Sequence, residues 1–397
     1  MGELRRRLVA AIPPLAWRDE LLAGREQQVR ELRRRVADRD RQIETHREEI
    51  ARHRAELATY RGDLRSDLLP PSFRRTLMAT RRTAPAIWGM HGAAQHPFIQ
   101  VPYKLRNYRL AASHGVPVPS VLGVWKRAGT IDLDGLPERF VLKSDRGAGS
   151  HGVLPLQRIG PDRYRLVGDG RELETGGIRA HLDSTPTARG PYFAEEMLEQ
   201  PDLGPDLLPD DVKVYAFYGR VGHVLLRRPT EHGNLATMAY RFVDDRGADL
   251  GDDITAQRID PGIPLPANFA RIIELAEHLS RAVALPFIRV DLYDTTAGPV
   301  LGELTRTPGG PQLYRADHDR WLGELWNEAR LRLDVDIQAG RPPFTLHGSL
   351  DVPNPYPAGH ASWKPDAGHW TVHRAPCERW CDTSTSGADR APGGDEM

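Results

Sequence analysis

The sequence predicts an α+β protein, with strands and helices in one body and a long helix ahead of it. Three observations predict it. An apolar ladder with a seven-residue repeat runs through residues 15–64. The segment RFVLKSDRGAGSHGV, from Arg139 to Val153, reads as a strand ending in a lone lysine, Lys143, followed by a glycine-rich loop. The segment FIRVDLYDTTAGPVLGELTRTPGG, from Phe287 to Gly310, reads as a β-hairpin with an acid on each strand.

In chain order, the ladder comes first. Leu15, Leu22, Val29, Val36, Ile43, Ile50, Leu57 and Leu64 occupy one position of a heptad, with no proline between them. The companion seam is half polar: Arg25, Leu32, Arg39, His46, His53 and Tyr60. Such a helix is expected to self-associate weakly, to pair with a partner protein, or to lie against an apolar surface. Residues 1–69 are therefore read as a coiled-coil module, and Pro70 and Pro71 as the linker out of it. The segment LRRRLVAAIPPLAW superficially suggests a signal peptide, but Pro13 and Pro14 break a short apolar stretch and a charged helix follows. A cytoplasmic protein is expected.

Composition narrows the function classes. Fifty-four basic residues balance fifty-four acidic ones, so no global field attracts nucleic acid. No apolar run reaches the roughly 20 residues of a membrane span. Two cysteines in 397 residues are too few for a disulfide framework and suit a reducing compartment.

Residues 72–138 read as a small lobe, with a helix over Leu105–His114 ending at Gly115 and VPVPSVLGVW as the strand after it. Residues 139–333 hold the remaining lobes. There the loop of Gly147, Gly149, Ser150 and Gly152 follows Lys143, so backbone N–H groups can close on phosphate oxygens while the ammonium supplies a point charge. An amphipathic helix over Ala267–Leu285 leads into the hairpin, and Trp321–Leu333 reads as the closing helix.

The hairpin carries the second half of the argument. With strands over Phe287–Asp294 and Val300–Thr305 and a turn centred on Ala297, Asp291 falls opposite Glu303. Directly opposed like charges destabilise a sheet, and a divalent cation relieves that penalty; hard oxygen ligands are what Mg²⁺ selects. Arg289 falls opposite Thr305 on the acid face, whereas alternation places Arg306 on the other. Together the loop and the hairpin point to a site for a nucleotide polyphosphate and its metal.

The ordered blocks YKLRNYRLAASHGVPVPSVLGVW, IDLDGLPERFVLKSDRGAGSHG, PYFAEEMLEQ, DDVKVYAFYGRVGHVLL and the hairpin with GELTRTPGG resemble the ATP-grasp superfamily, in its TupA-like branch, over roughly residues 95–330. The resemblance implies an ATP-grasp fold: antiparallel sheets with helices, and the nucleotide between two lobes. It implies ATP and Mg²⁺ as cofactors. Lys104 and Lys143 resemble the two phosphate lysines, and Glu195, Glu196, Met197 and Leu198 the hinge that meets adenine. Lys213 resembles the lysine on the strand after the hinge, and Asp291 and Glu303 the metal ligands. Where many members carry Asn two residues past the glutamate, this chain has Thr305, as the TupA-like GELT pattern expects.

Lysine usage agrees. Lys104, Lys126, Lys143, Lys213 and Lys364 are the only lysines against forty-nine arginines. Choosing the compact ammonium in so Arg-biased a chain suggests it is needed, and three of the five fall on nucleotide positions.

Residues 334–397 form a Pro/Gly-rich tail, expected to be partly disordered. His373, Cys377 and Cys381, with His369 as a fourth, have spacings compatible with zinc, although such clusters are more often incidental. The implied reaction joins a carboxylate to an amine through an acyl phosphate, with an amino acid passed to a surface glycan or a small metabolite. Arg289 and Arg306 are the candidates for holding the carboxylate or the migrating phosphoryl group. A small-molecule kinase and a nucleotide-binding scaffold acting through its coiled coil are the alternatives.

Overall fold

In the computed structural model the described residues are 13–63, 69–91, 93–147, 152–201, 203–204, 207–228, 238–251, 254–255, 259–309, 312–358, 372–374 and 376–382. Gly149, Ser150, Leu64 and His369 lie outside them, as do the side chains of Leu15 and Leu57. The chain divides into two compact units, Met1–Pro70 and Pro71–Met397.

Among its described residues the first unit holds one helix, α1 (Pro13–Asp63). Its ladder residues Leu22, Val29, Val36, Ile43 and Ile50 are all exposed, Val36 at 58%. Pairs one turn apart, such as Arg35 with Glu31 at 3.2 Å, lie on the solvated surface and contribute about 0.3–0.5 kcal/mol each. Among the described residues no helix is long and apolar enough to cross a membrane.

The second unit is built on two antiparallel sheets. It opens with α2 (Phe73–Ile87), α3 (Pro97–Gln100) and α4 (Lys104–Ser113). The first sheet runs β1 (Val121–Trp125), β6 (Arg189–Glu196), β2 (Arg139–Arg146), β3 (Val153–Gly160), β4 (Arg163–Leu166), β5 (Glu172–Leu173). Helix α5 (Thr175–Ser184) places Ile178 and Leu182 in its core with Phe140, Leu142, Leu154 and Leu156. The second sheet runs β11 (Gly298–Thr305), β10 (Ile288–Thr295), β7 (Asp211–Ala216), β8 (Val221–Arg228), β9 (Ala239–Val243).

Period-two alternation sorts the second sheet into a core face and a working face. Val212, Val214, Ile288, Val290 and Leu292 pack under α6 (Phe269–Val283), whose Ile272, Ala276, Leu279 and Val283 form the matching stripe. Asp211, Lys213, Tyr215, Arg289 and Asp291 alternate to the other face. Towards one end that face is closed by aromatic packing: Tyr215, Phe217 and Phe287 against Phe73 of α2 and Trp326 of α7 (Ala316–Gln338). The remainder is the site.

Helix α6 is two residues shorter at each end than the expected Ala267–Leu285, α4 is shifted by one residue, and two further elements differ more. Helix α7 starts five residues before Trp321 and continues past Leu333; Asp317 and Asp319 in its first turn favour the earlier start. The hairpin turn is tighter, with Thr295 opposite Gly298 and only Thr296 and Ala297 between the strands. The register then shifts by one residue between Asp291 and Leu292, leaving Gly302 as the extra residue of a bulge. A Cβ on Gly302 would lie 2.6 Å from the Tyr293 ring, so only glycine fits there.

The described parts of the tail are packed. Leu346 begins a short parallel pair, β12 (Leu346–His347) with β13 (His373–Arg374), and Tyr356 is buried. Arg341, 1% exposed, donates to Arg281 O at 2.6 Å just before the C-terminus of α6. A last helical turn, α8 (Cys377–Trp380), places Trp380 beside Ala282.

Candidate functional site

The site lies between the two sheets, where β2 and β6 of the first face β7, β10 and β11 of the second. Two adjoining cavities form it. One is lined by Val141, Val153, Pro155, Met197, Leu198, Leu208 and Met238, with Glu195 and Glu196 at the strand end. The other is polar, lined by Lys104, Lys143, Gly147, Gly152, Asp211, Lys213, Arg227, Asp291 and Glu303. Lys143, Asp211, Arg227 and Tyr293 border both.

Lys143 sits mid-strand on β2 and not at its end, because the strand continues to Arg146; it lies opposite Phe193, with Glu195 on the diagonal of the same face. Its ammonium is ion-paired to Glu195 and lies 3.2 Å from Tyr108 Oη. The Tyr108 hydroxyl donates to Glu195 Oε2 at 2.7 Å. Burial and the Glu195 charge push the Tyr108 pKa well above the ordinary tyrosine value. Glu196 faces outward instead and accepts from Ser120 N at 2.7 Å.

Gly147 and Gly152 bracket the loop, and both have a steric reason to lack a side chain. A Cβ on Gly147 would lie 2.9 Å from Ser144 Oγ and 3.0 Å from Thr187 O; one on Gly152 would lie 2.9 Å from Ala188 Cβ.

On the second sheet the strand register makes a row. Lys213 pairs with Asp291 across β7 and β10, and Asp291 pairs with Glu303 across β10 and β11. Lys213 Nζ is 2.7 Å from Asp291 Oδ2 and 3.4 Å from Asp211 Oδ2. Lys104, at the start of α4, extends the row to 3.7 Å from Glu303 Oε1. Arg289 grips Asp291 with two bonds of 2.6 Å and donates to Thr305 Oγ1 at 3.2 Å.

These contacts overturn one expectation. In an isolated hairpin the opposed Asp291 and Glu303 repel until a metal binds, but here Arg289 and Lys213 already neutralise Asp291. Burial raises its pKa, yet those two cations outweigh burial and hold it below the usual carboxylate value. Asp211 behaves alike: burial is outweighed by Lys213 and Arg227, and its pKa is lowered. Lys213 pays the converse cost, since burial pulls its pKa down against the pull of Asp211 and Asp291.

The donor set nevertheless fits a Mg²⁺ carried by phosphates. Asp291 and Glu303 face one polar cavity, Asp211 is adjacent, and Mg²⁺ commonly takes only one or two carboxylates beside phosphate oxygens and water. Glu303, its side chain 36% exposed, is the more accessible donor.

Arg306 lies apart from this set. Its guanidinium covers the Phe98 ring at 4.0 Å, and burial pulls its pKa down to about 10. Its Nη1 is buried with no hydrogen-bond partner among the described residues.

Four participants went unread in the sequence: Tyr108, Asp145, Arg227 and Tyr293. Tyr108 is one helical turn after Lys104, so the i,i+4 spacing could have found it. Asp145 is legible only in space. Its Oδ1 accepts from Leu105 N at the start of α4 at 2.9 Å, while its Oδ2 accepts from the Tyr356 hydroxyl at 2.8 Å. It thereby holds the helix turn that presents Lys104.

Residues 198–327 match the family model of the TupA-like ATP-grasp proteins. Over that span the chain is similar to TupA-like ATP-grasp proteins. The matched span takes in the second sheet of the two-sheet α+β unit, with α6 and the start of α7. No curated protein matches the sequence. Solved structures similar to the chain include a D-alanine–D-alanine ligase from Bacillus anthracis complexed with ATP, at 10% identity over 62% of this chain and 70% of that one, TM-score 0.37. The ligase of the same name from Coxiella burnetii shares 10% identity over 62% of each chain, TM-score 0.38. An L-amino acid ligase from Bacillus licheniformis shares 10% identity over 55% of this chain and 43% of that one, TM-score 0.32.

Proposed function

We propose that this ATP-grasp protein is an ATP-dependent carboxylate–amine ligase, releasing ADP and forming an amide through an acyl phosphate. One observation carries the reading: Lys104, Lys143 and Lys213 converge with Asp211, Asp291 and Glu303 on one cavity that adjoins an apolar pocket. An adenine ring suits the apolar pocket, where Val141, Met197, Leu198 and Met238 offer faces and the main chain after Glu196 offers hydrogen bonds. The phosphates then extend towards Lys143, Lys104 and the base of the glycine loop.

Asp291, Glu303 and Asp211 would hold Mg²⁺, which when bound neutralises phosphate charge during phosphoryl transfer. Arg289 acts on Asp291, fixing the rotamer of that carboxylate through two bonds. It is a positioning residue in this reading, not a clamp on substrate. Lys143 and Tyr108 orient Glu195, so a bound nucleotide meets a preset ion pair. An acyl phosphate hydrolyses in water, so the chemistry requires the cavity to be covered while the amine attacks. An amino acid passed to a surface glycan, or to a small peptide-like metabolite, is the substrate class in keeping with the TupA-like module.

The test is product analysis with full-length protein, MgATP, pooled amino acids and candidate acceptors. Amide formation coupled to ADP release, with hydroxylamine intercepting a hydroxamate, supports the ligase. ADP release with a stable phosphorylated product and no hydroxamate makes the protein a kinase. Nucleotide binding without turnover under any substrate leaves the scaffold reading.

A further inference from the structure

Away from the nucleotide cavity, three potential metal ligands from distant parts of the chain converge. His114 caps the C-terminus of α4, His278 lies on α6, and Cys377 opens α8 in the tail. His114 Nδ1 is 2.9 Å from His278 Nε2 and 3.2 Å from Cys377 Sγ. One ligand atom from each residue falls within 4.8 Å of the others. All three residues are half-buried.

The outer nitrogens say which atoms face inward as lone pairs. His114 Nε2 is 2.8 Å from the carbonyl of Leu346, so it carries the proton and donates. In a neutral imidazole that leaves Nδ1 as a bare acceptor. His278 Nδ1 lies 3.6 Å from Asp382 Oδ1, and a carboxylate there favours the proton on Nδ1. Its Nε2 is then also an acceptor. Two lone pairs therefore point at each other beside a thiol. A backbone carbonyl and a carboxylate behind two imidazoles are the outer partners that orient metal-bound histidines.

We propose that His114, His278 and Cys377 bind a divalent transition ion of the Zn²⁺ class, and that this ion pins the C-terminal segment to α4 and α6. The ligand set is two imidazoles and one thiolate, the mixture zinc accepts in tetrahedral sites. With bonds of roughly 2.0–2.1 Å to nitrogen and 2.3 Å to sulfur, a tetrahedral ion sets N–N at about 3.3 Å and N–S at about 3.6 Å. The observed 2.9 and 3.2 Å need to open by about 0.4 Å each, and the His278–Cys377 separation, within 4.8 Å, settles at about 3.6 Å. The thiol proton leaves to solvent on binding, and the fourth position falls to water or an anion.

The ligands differ from those the tail's spacing suggested. His373 stacks on Phe344 at 4.3 Å and lies 3.0 Å from Gln95 Oε1, so it is committed elsewhere. Cys381 is fully buried beside Ala282 and Leu346, and burial pushes its thiol pKa up to about 12. A metal at this place ties residues 114, 278 and 377 together. The loops so closed span well over 90 residues each, where cross-linking constrains the unfolded chain most.

The experiment titrates Co²⁺ alone into the full-length, metal-stripped protein and follows its absorption. The expected result is one tight Co²⁺ per chain, tetrahedral visible bands, a thiolate-to-cobalt charge-transfer band in the near ultraviolet, and displacement of all three by Zn²⁺. Cys377→Ser should abolish the charge-transfer band, and His278→Gln should weaken binding at least tenfold. Cys381→Ser and His373→Ala should leave spectrum and stoichiometry unchanged. Absence of tight uptake by the wild-type chain overturns the site, whatever the variants do. So does a charge-transfer band that survives Cys377→Ser or disappears in Cys381→Ser. Each outcome is read from the metal's own spectrum and leaves ATP chemistry aside.

Discussion

Lys213 and Asp291 face each other across β7 and β10 with Nζ 2.7 Å from Oδ2, and the same aspartate faces Glu303 across the next pair of strands. A lysine, an aspartate and a glutamate thus lie in one row perpendicular to the strands. The two carboxylates are unequal. Asp291 is 4% exposed and held by Arg289 and Lys213, whereas the more exposed Glu303 reaches the cavity with Lys104 Nζ 3.7 Å from its Oε1.

That inequality predicts opposite behaviour for two isosteric substitutions. Asp291→Asn leaves Arg289 buried without its countercharge and Lys213 with Asp211 alone, so the nucleotide-free protein should lose about 3–5 kcal/mol. Glu303→Gln should change stability by under about 1 kcal/mol, because its surroundings are partly solvated. Both should weaken Mg²⁺-dependent nucleotide binding. Thermal melts and nucleotide titrations with and without Mg²⁺ check this; equal stability loss in the two variants would refute the ranking.

Lys143 is half of a buried pair with Glu195. Lys143→Ala should therefore abolish ATP turnover and also cost about 3–5 kcal/mol, since a buried carboxylate is left uncompensated. Adding Glu195→Gln should recover part of the stability and none of the turnover. Denaturant unfolding of the single and double variants, alongside ADP release, separates the two effects. Full stability in Lys143→Ala would mean that Glu195 finds another partner.

His318 predicts a pH dependence. Burial pulls its pKa down to about 4, against 6.5 for an unperturbed imidazole, and its Nε2 is 3.1 Å from His223 Nδ1, whose pKa burial also lowers. Between about 4 and 6.5 the unfolded chain binds more protons than the folded one, so stability falls as pH is lowered through that window. Asp211 and Asp291, with lowered pKa values, lose their contribution only at more acidic pH. Urea unfolding across the window should show this slope, and His318→Gln should reduce it without removing it, because burial also lowers the pKa of His114, His223 and His347. An unchanged slope in that variant would assign the protons to other groups.

The tail reaches the site through Tyr356. Tyr356→Phe removes the bond to Asp145, which caps α4 at Leu105, while keeping the ring. The expected outcome is a several-fold rise in the KM for ATP with little change in kcat, as Lys104 loses its fixed presentation. A fall in kcat with unchanged KM would place the defect elsewhere.

The helix α1 offers a separate test. Removing residues 1–66 should change oligomeric state or partner association, because its ladder from Leu22 to Ile50 is exposed, while nucleotide titration stays unaltered. Light scattering and nucleotide binding on the truncated chain check both halves. Unchanged mass together with lost nucleotide affinity would reverse the assignment.

What was legible in the sequence was local or periodic. The seven-residue ladder specified α1, the alternation around Asp291 specified which hairpin residues share a face, and Lys143 before its glycines specified a strand running into a loop. These follow from backbone geometry, which repeats every two residues in a strand and every 3.6 in a helix whatever the rest of the chain does. Even there the pairing of Asp291 with Glu303 arises by a different route. The two-residue turn alone would offset the pair by one, and the Gly302 bulge restores it.

Only the tertiary structure decided how the charges are neutralised and what the tail does. Asp291 meets Lys213 from a strand 78 residues earlier, Asp145 meets Tyr356 211 residues later, and His114 meets Cys377 across 263. No periodicity encodes such pairs, because the burial that makes them matter is created by sheets and helices packing together. The sequence by itself determined which residues could take part in phosphate and metal chemistry; packing determined which of them stand within reach of one another, and so which charges are already spoken for.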